Sequence, residues 1–191
     1  MQPTPASLAT ASPDQQPSRR GAVYYLTFAW GVGGVLLLFA RAVTRLAPMA
    51  WQPLVDGSLS PLQLLAYAAW VVFNGYSEGY RAFQKAFCPR VVGRAHQLAS
   101  APTLARALLA PLYCLSLFHA NRRGLTLAWV MLAVIAGLVW LLRITPQPWR
   151  GIVDGGVVVA LGWGTLAMLF FAAQTLRRGV APAAKLNLPG T

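Results

Sequence analysis

The chain has 191 residues, 57% of them apolar and 10% charged, where a soluble domain carries about 25% charged side chains. Sixteen basic and four acidic residues give a net charge of +12. That balance excludes an ordinary solvated surface, leaves no length for a separate soluble catalytic domain, and points to lipid as the solvent.

Residues 1–20, MQPTPASLATASPDQQPSRR, are rich in Pro, Ser, Ala and Gln without periodicity, and read as a disordered cytoplasmic tail. The run AVYYLTFAWGVGGVLLLFA (22–40) follows Arg19-Arg20 directly. A twin-arginine signal would place an aromatic after the pair, and a cleaved signal would have a shorter apolar core. An uncleaved first span fits better. The stretch LAPMAWQPLVDGSLSP is interrupted by Pro48, Pro53 and Pro61, which predicts a loop turning at Asp56-Gly57.

A second apolar run, LQLLAYAAWVVF (62–73), predicts a span over about 61–80, in a helix continuing to Phe87. Cys88-Pro89 is expected to stop it. The run 108–120 rises only about 20 Å as helix, too little for a hydrocarbon core of about 30 Å. It predicts a short interfacial or re-entrant helix over about 104–120. Two strong runs complete the set, LTLAWVMLAVIAGLVWLL and IVDGGVVVALGWGTLAMLFFAAQ, giving spans over about 125–143 and 152–174. Residues 177–191 form a short cytoplasmic tail.

The fold class expected is an all-α integral membrane bundle of four transmembrane helices. With four crossings, every basic residue except Arg41, Arg45, Arg143 and Arg150 falls on one side. A fifth crossing at 104–120 would nearly erase that bias. The positive-inside rule therefore places both termini in the cytoplasm, with a bacterial inner membrane as the default compartment. The stretch EGYRAFQKAFCPRVVGRA (78–95) resembles one in small bacterial membrane proteins, and the resemblance implies no activity.

Glu78 is the chain's one glutamate. At 3.6 residues per turn, Asn74, Glu78, Arg81 and Lys85 share a polar stripe. Tyr76, Tyr80, Phe83 and Phe87 share an aromatic face. Gly75, Gly79, Ala82 and Ala86 share a small-residue seam that admits another helix. Glu78 then sits near the cytoplasmic boundary, either in a local ion pair with Arg81 or as part of a surface recognising a partner subunit, a lipid headgroup or an ion. Arg90, Arg94 and Arg106 extend a basic patch suited to anionic headgroups. Arg150 and Asp154 form an outer polar pair at the start of the last span.

Cys88 and Cys114 stand apart, and His96 and His119 lack neighbours at ligand spacing. No phosphate-binding loop, dinucleotide fingerprint, HExxH or paired carboxylate occurs, so no catalytic residue, cofactor or metal ligand is assigned. The basic residues flank apolar runs without a recognition motif, which argues for membrane lipids and against nucleic acid. Three functions remain. The first is an accessory, assembly or scaffold subunit binding another membrane protein or itself. The second is a homo-oligomeric transporter or channel using the Asn74–Glu78 stripe, and the third a lipid-acting enzyme at the cytoplasmic face.

Overall fold

One helix, α1 (Ala22–Val55), carries the first apolar run and continues well past it. The computed structural model describes residues 21–189, so the tail expected over 1–20 lies outside the described residues. Pro48 and Pro53 were expected to break the chain, yet both lie inside α1. Proline withholds an N–H and frees the carbonyl four residues back. For Pro53 that carbonyl belongs to Met49, and it accepts from Gln147 Nε2 at 3.3 Å. The turn at Asp56-Gly57 is present, with Gly57 at φ +61°.

The next helix begins at Pro61, where Ser60 and Gln63 form a reciprocal capping box. It runs as α2 (Pro61–Asn74), then as a π-helix over Gly75–Phe87, then as α3 (Cys88–Ser100) without interruption. The expected stop before Cys88-Pro89 is therefore corrected. In the π register the Cys88 N–H bonds the Phe83 carbonyl, five residues back. The widened turn relieves the clash that a proline ring makes with a preceding α-turn.

Residues 104–120 do not form one helix. They make two short pieces, α4 (Leu104–Leu108) and α5 (Ala110–Cys114), followed by turns. Pro111 at the start of α5 interrupts the α4 hydrogen-bond ladder. The side chains of α5 fill two gaps on α1. Cys114 and Ala110 lie over Gly31, and Pro111 over Gly34.

The last two helices are α6 (Arg122–Ile144) and α7 (Trp149–Arg178). Gly179, at φ +74°, ends α7 in the left-handed conformation. Residues 179–189 then fold back, with Leu186 against Gly93 and Asn187 against Gly124.

The described residues form an all-α bundle, and among them three helices, α1, α6 and α7, are long and apolar enough to cross a membrane. Its core joins α1, α3, α5 and α7 through Phe28, Val35, Cys88, Val92, Tyr113 and Met168. Helix α6 stands apart. Only 6% of its apolar window is buried, against 33% for α1 and α7, and its buried residues are Gly124 and Leu142 near its two ends.

Candidate functional site

The π-helix decides where the charged residues sit. Its i→i+5 bonding gives more than four residues per turn, so positions four and five apart line up. Asn74, Gly79 and Cys88 are buried, and Phe83 and Phe87 pack onto the core beside them. Glu78, Arg81 and Lys85 are exposed. The stripe expected at 3.6 residues per turn is thus divided. Asn74 turns inward, where its Nδ2 donates to the Trp70 carbonyl at 2.9 Å and lies beside Gly156.

The aromatic face divides as well. Phe83 and Phe87 stack around Phe39 of α1, at centroid separations of 5.3 and 5.8 Å. Tyr76 and Tyr80 stay together 5.9 Å apart on the outer side. The seam does meet a helix, and that helix is α7. A Cβ on Gly75 would touch Val159, and one on Gly79 would press on Trp163. Ala82 is half-buried and Ala86 exposed.

These contacts fix a level along α7. Trp163 and Gly164 stand at the middle of α7 and of its apolar run. Gly79 abuts Trp163, Phe83 abuts Gly164, and Gln84 Oε1 accepts from Trp163 Nε1 at 2.7 Å. Glu78 and Arg81 therefore lie level with the centre of α7. Phe39 also meets Gly164. Arg41 and Arg45 follow it along α1 by about 3 and 9 Å, and both are exposed. An ionised side chain at the centre of a bilayer costs about 2.5–3.5 kcal/mol when it faces lipid.

Lys85 has found a partner, its Nζ standing 4.5 Å from the centre of the Tyr80 ring. Among the described residues, Glu78 and Arg81 make no ion pair with each other or with any other side chain; the ion pair present is Arg150–Asp154. The local Glu78–Arg81 pair expected from i,i+3 spacing is not formed, because the π register swings the two outward at different angles.

Arg94 does not belong to a surface patch. It is fully buried. Its Nε donates to the Tyr113 carbonyl at 2.8 Å, Nη1 to Leu186 at 2.8 Å, and Nη2 to His119 at 3.1 Å and Phe118 at 3.4 Å. The guanidinium also stacks 4.2 Å from the Tyr113 ring centre. Left-handed backbone at Ser116 and His119 turns these carbonyls toward it. Sequence spacing could not show this, since every acceptor is backbone. Arg90 and Arg106 are half-buried near the same end.

At the opposite end, Asp154 is fully buried and its Oδ2 lies 3.6 Å from Arg150 Nε, too long for a hydrogen bond. Around it, Tyr67 packs on Gly155 and donates to the Ala50 carbonyl at 3.1 Å, and Gln147 Oε1 accepts from the Gly151 N–H at 3.0 Å. Among the described residues no three His, Cys, Asp or Glu side chains gather to hold a metal ion.

No family model matches the chain, and no curated protein or solved structure shows significant similarity to it.

Proposed function

We propose that this protein is a contact subunit of a membrane assembly, working through its helix faces rather than through chemistry. One observation carries the reading. Among the described residues, Glu78 and Arg81 are exposed and without an ion-pair partner at the level of Trp163, halfway along an apolar helix. A surface of that kind is poorly matched to acyl chains and well matched to protein. Exposed Arg41 and Arg45 at similar depth, and an α6 that leaves the bundle between its ends, support the same reading.

The reading includes four crossings, with the Pro61–Ser100 helix as the fourth, and both termini in the cytoplasm of a bacterial inner membrane. Residues 104–120 then dip from the cytoplasmic face onto Gly31 and Gly34. Arg90 and Arg106, with exposed Arg122 and Arg123, are placed to meet anionic headgroups or an acidic partner surface. A pore lined by Asn74 and Glu78 is less well supported, because Asn74 is buried and bonded within its own chain.

The test is the native mass and subunit content of the full chain, extracted with its lipid into nanodiscs. A particle heavier than one 20.6 kDa chain is expected. A lone chain at membrane-like density would overturn the reading.

A further inference from the structure

We infer that the partner is a membrane-spanning helix of another protein, carrying two carboxylates one turn apart, and that it docks on the face of α1 that presents Arg41 and Arg45. This inference rests on the assembly reading above and names the chemistry of its partner.

Helix α1 itself brings the two arginines together. Four residues apart on an α-helix, they lie about 40° from each other around the axis and about 6 Å apart along it. Both line one open recess of about 490 Å³, with Ala42 and Thr44. Thr44 Oγ1 donates to the Arg41 carbonyl at 3.1 Å. Neither guanidinium has an ion pair among the described residues. Gly34 and Leu38 precede the pair on the same face, and Pro48 follows it. Pro111 of α5 fills that face at Gly34. From Leu38 to Pro48 its residues are exposed, a bare seat of about three turns closed at one end by α5.

Charge decides what fits the seat. The chain has four acidic residues, Asp14, Asp56, Glu78 and Asp154. Asp14 stands in sequence before the far end of α1. Asp56 follows Arg45 by about 16 Å along the helix, and Asp154 is buried against Arg150. At the level of the recess, Glu78 is the carboxylate available among the described residues. It faces three exposed guanidinium groups there, those of Arg41, Arg45 and Arg81, while Lys85 lies over the Tyr80 ring. Copies inserted in one orientation repeat that ratio, whatever the angles between their faces. Self-association therefore leaves positive charge unmet, and an acidic partner removes it.

Position favours a helix over a lipid phosphate. Arg41 and Arg45 follow Phe39 by about 3 and 9 Å, and Phe39 meets Gly164 at the middle of α7. A phosphate would have to leave the headgroup plane to reach that level. A carboxylate is carried there by its own helix. Two of them four residues apart repeat the rise between the arginines, and each guanidinium can take one through two parallel N–H groups.

The probe is a synthetic Leu-Ala transmembrane peptide with two central glutamates four residues apart, compared with the same peptide carrying glutamines. Energy transfer from each labelled peptide to the labelled full-length chain is read in phosphatidylcholine vesicles near neutral pH. The acidic peptide should bind about tenfold more tightly. Arg41→Gln together with Arg45→Gln should erase that preference. Arg41→Glu together with Arg45→Glu should reverse it, towards a peptide with lysines at the two positions. A misfolded chain cannot gain binding in this way.

An acidic peptide that binds no better than the glutamine one overturns the inference and leaves the assembly reading standing. So does a preference that disappears when phosphatidylglycerol replaces part of the phosphatidylcholine, since the recess then takes a lipid phosphate. A native particle built only of copies of this chain also overturns it while the assembly reading holds. A wild-type chain that runs alone overturns both.

Discussion

A Cβ placed on Gly79 would stand 3.0 Å from the Cβ of Trp163, inside normal packing distance. The π-helix and α7 meet there without space for a side chain. Gly79→Val should therefore force the two helices apart and cost about 1–3 kcal/mol, read as a lowered unfolding midpoint in detergent. Gly162→Ala, where a Cβ meets nothing within 4 Å, is the matched control and should be neutral or slightly stabilising.

Gln147 closes two gaps at once, donating to the Met49 carbonyl left free by Pro53 and accepting from the Gly151 N–H. Gln147→Ala should cost about 1 kcal/mol, because the bond to Met49 is exposed and water can replace it. In a Pro53→Ala background residue 53 supplies its own N–H to Met49, and the cost of Gln147→Ala should shrink. A double-mutant cycle on thermal unfolding measures that coupling.

Arg94→Leu removes the guanidinium donors to the carbonyls of Tyr113, His119 and Leu186, of which Tyr113 keeps the Ser116 N–H. The loss should be about 3 kcal/mol, since the buried guanidinium's other acceptors lose their donor. Residues 179–189 should come loose with it. Faster tryptic cleavage at exposed Lys185, relative to wild type, checks this directly.

His119 lies beside the same guanidinium, its ring stacked 5.9 Å from Tyr113. Burial, with Arg106 and Arg94 nearby, lowers its pKa below the ordinary 6.5. A lowered histidine pKa means that the unfolded chain binds more protons as pH falls. Stability should be full above 6.5 and decline through and below it. His119→Gln should flatten that limb of the unfolding midpoint against pH.

Arg150→Met leaves the buried Asp154 carboxylate without its ion-pair partner among the described residues, although Arg150 is itself 30% exposed and partly screened. A loss of about 1–3 kcal/mol is expected. Asp154→Asn added to Arg150→Met should recover most of it, measured by the same unfolding assay.

Much of this architecture is visible in the residues. Long apolar runs give α6 and α7 to within a few positions, and Asp56-Gly57 gives the turn. Three features escape for separate physical reasons. Pro48 and Pro53 read as helix breakers because Gln147, distant in sequence, rescues the carbonyl that Pro53 exposes. The stripe through Asn74 fails because a 3.6-residue period does not hold in a segment with a wider turn, and no single residue announces a π register. Arg94 looks like one more surface cation because its partners are carbonyls, and carbonyls belong to every residue. The Gly75 and Gly79 seam was legible, but its partner, α7, was not.

Arg94 and Leu186 also impose an order on biogenesis. The carbonyl that Nη1 requires is made 92 residues after the arginine itself. At about 5–20 residues per second, a ribosome takes on the order of 5–20 s to supply it. Tyr113 and His119 are made early in that interval, so the guanidinium can hold the turn after α5 while it still lacks its final acceptor. The returning segment therefore arrives as a latch, closing a structure whose other helices are already translated.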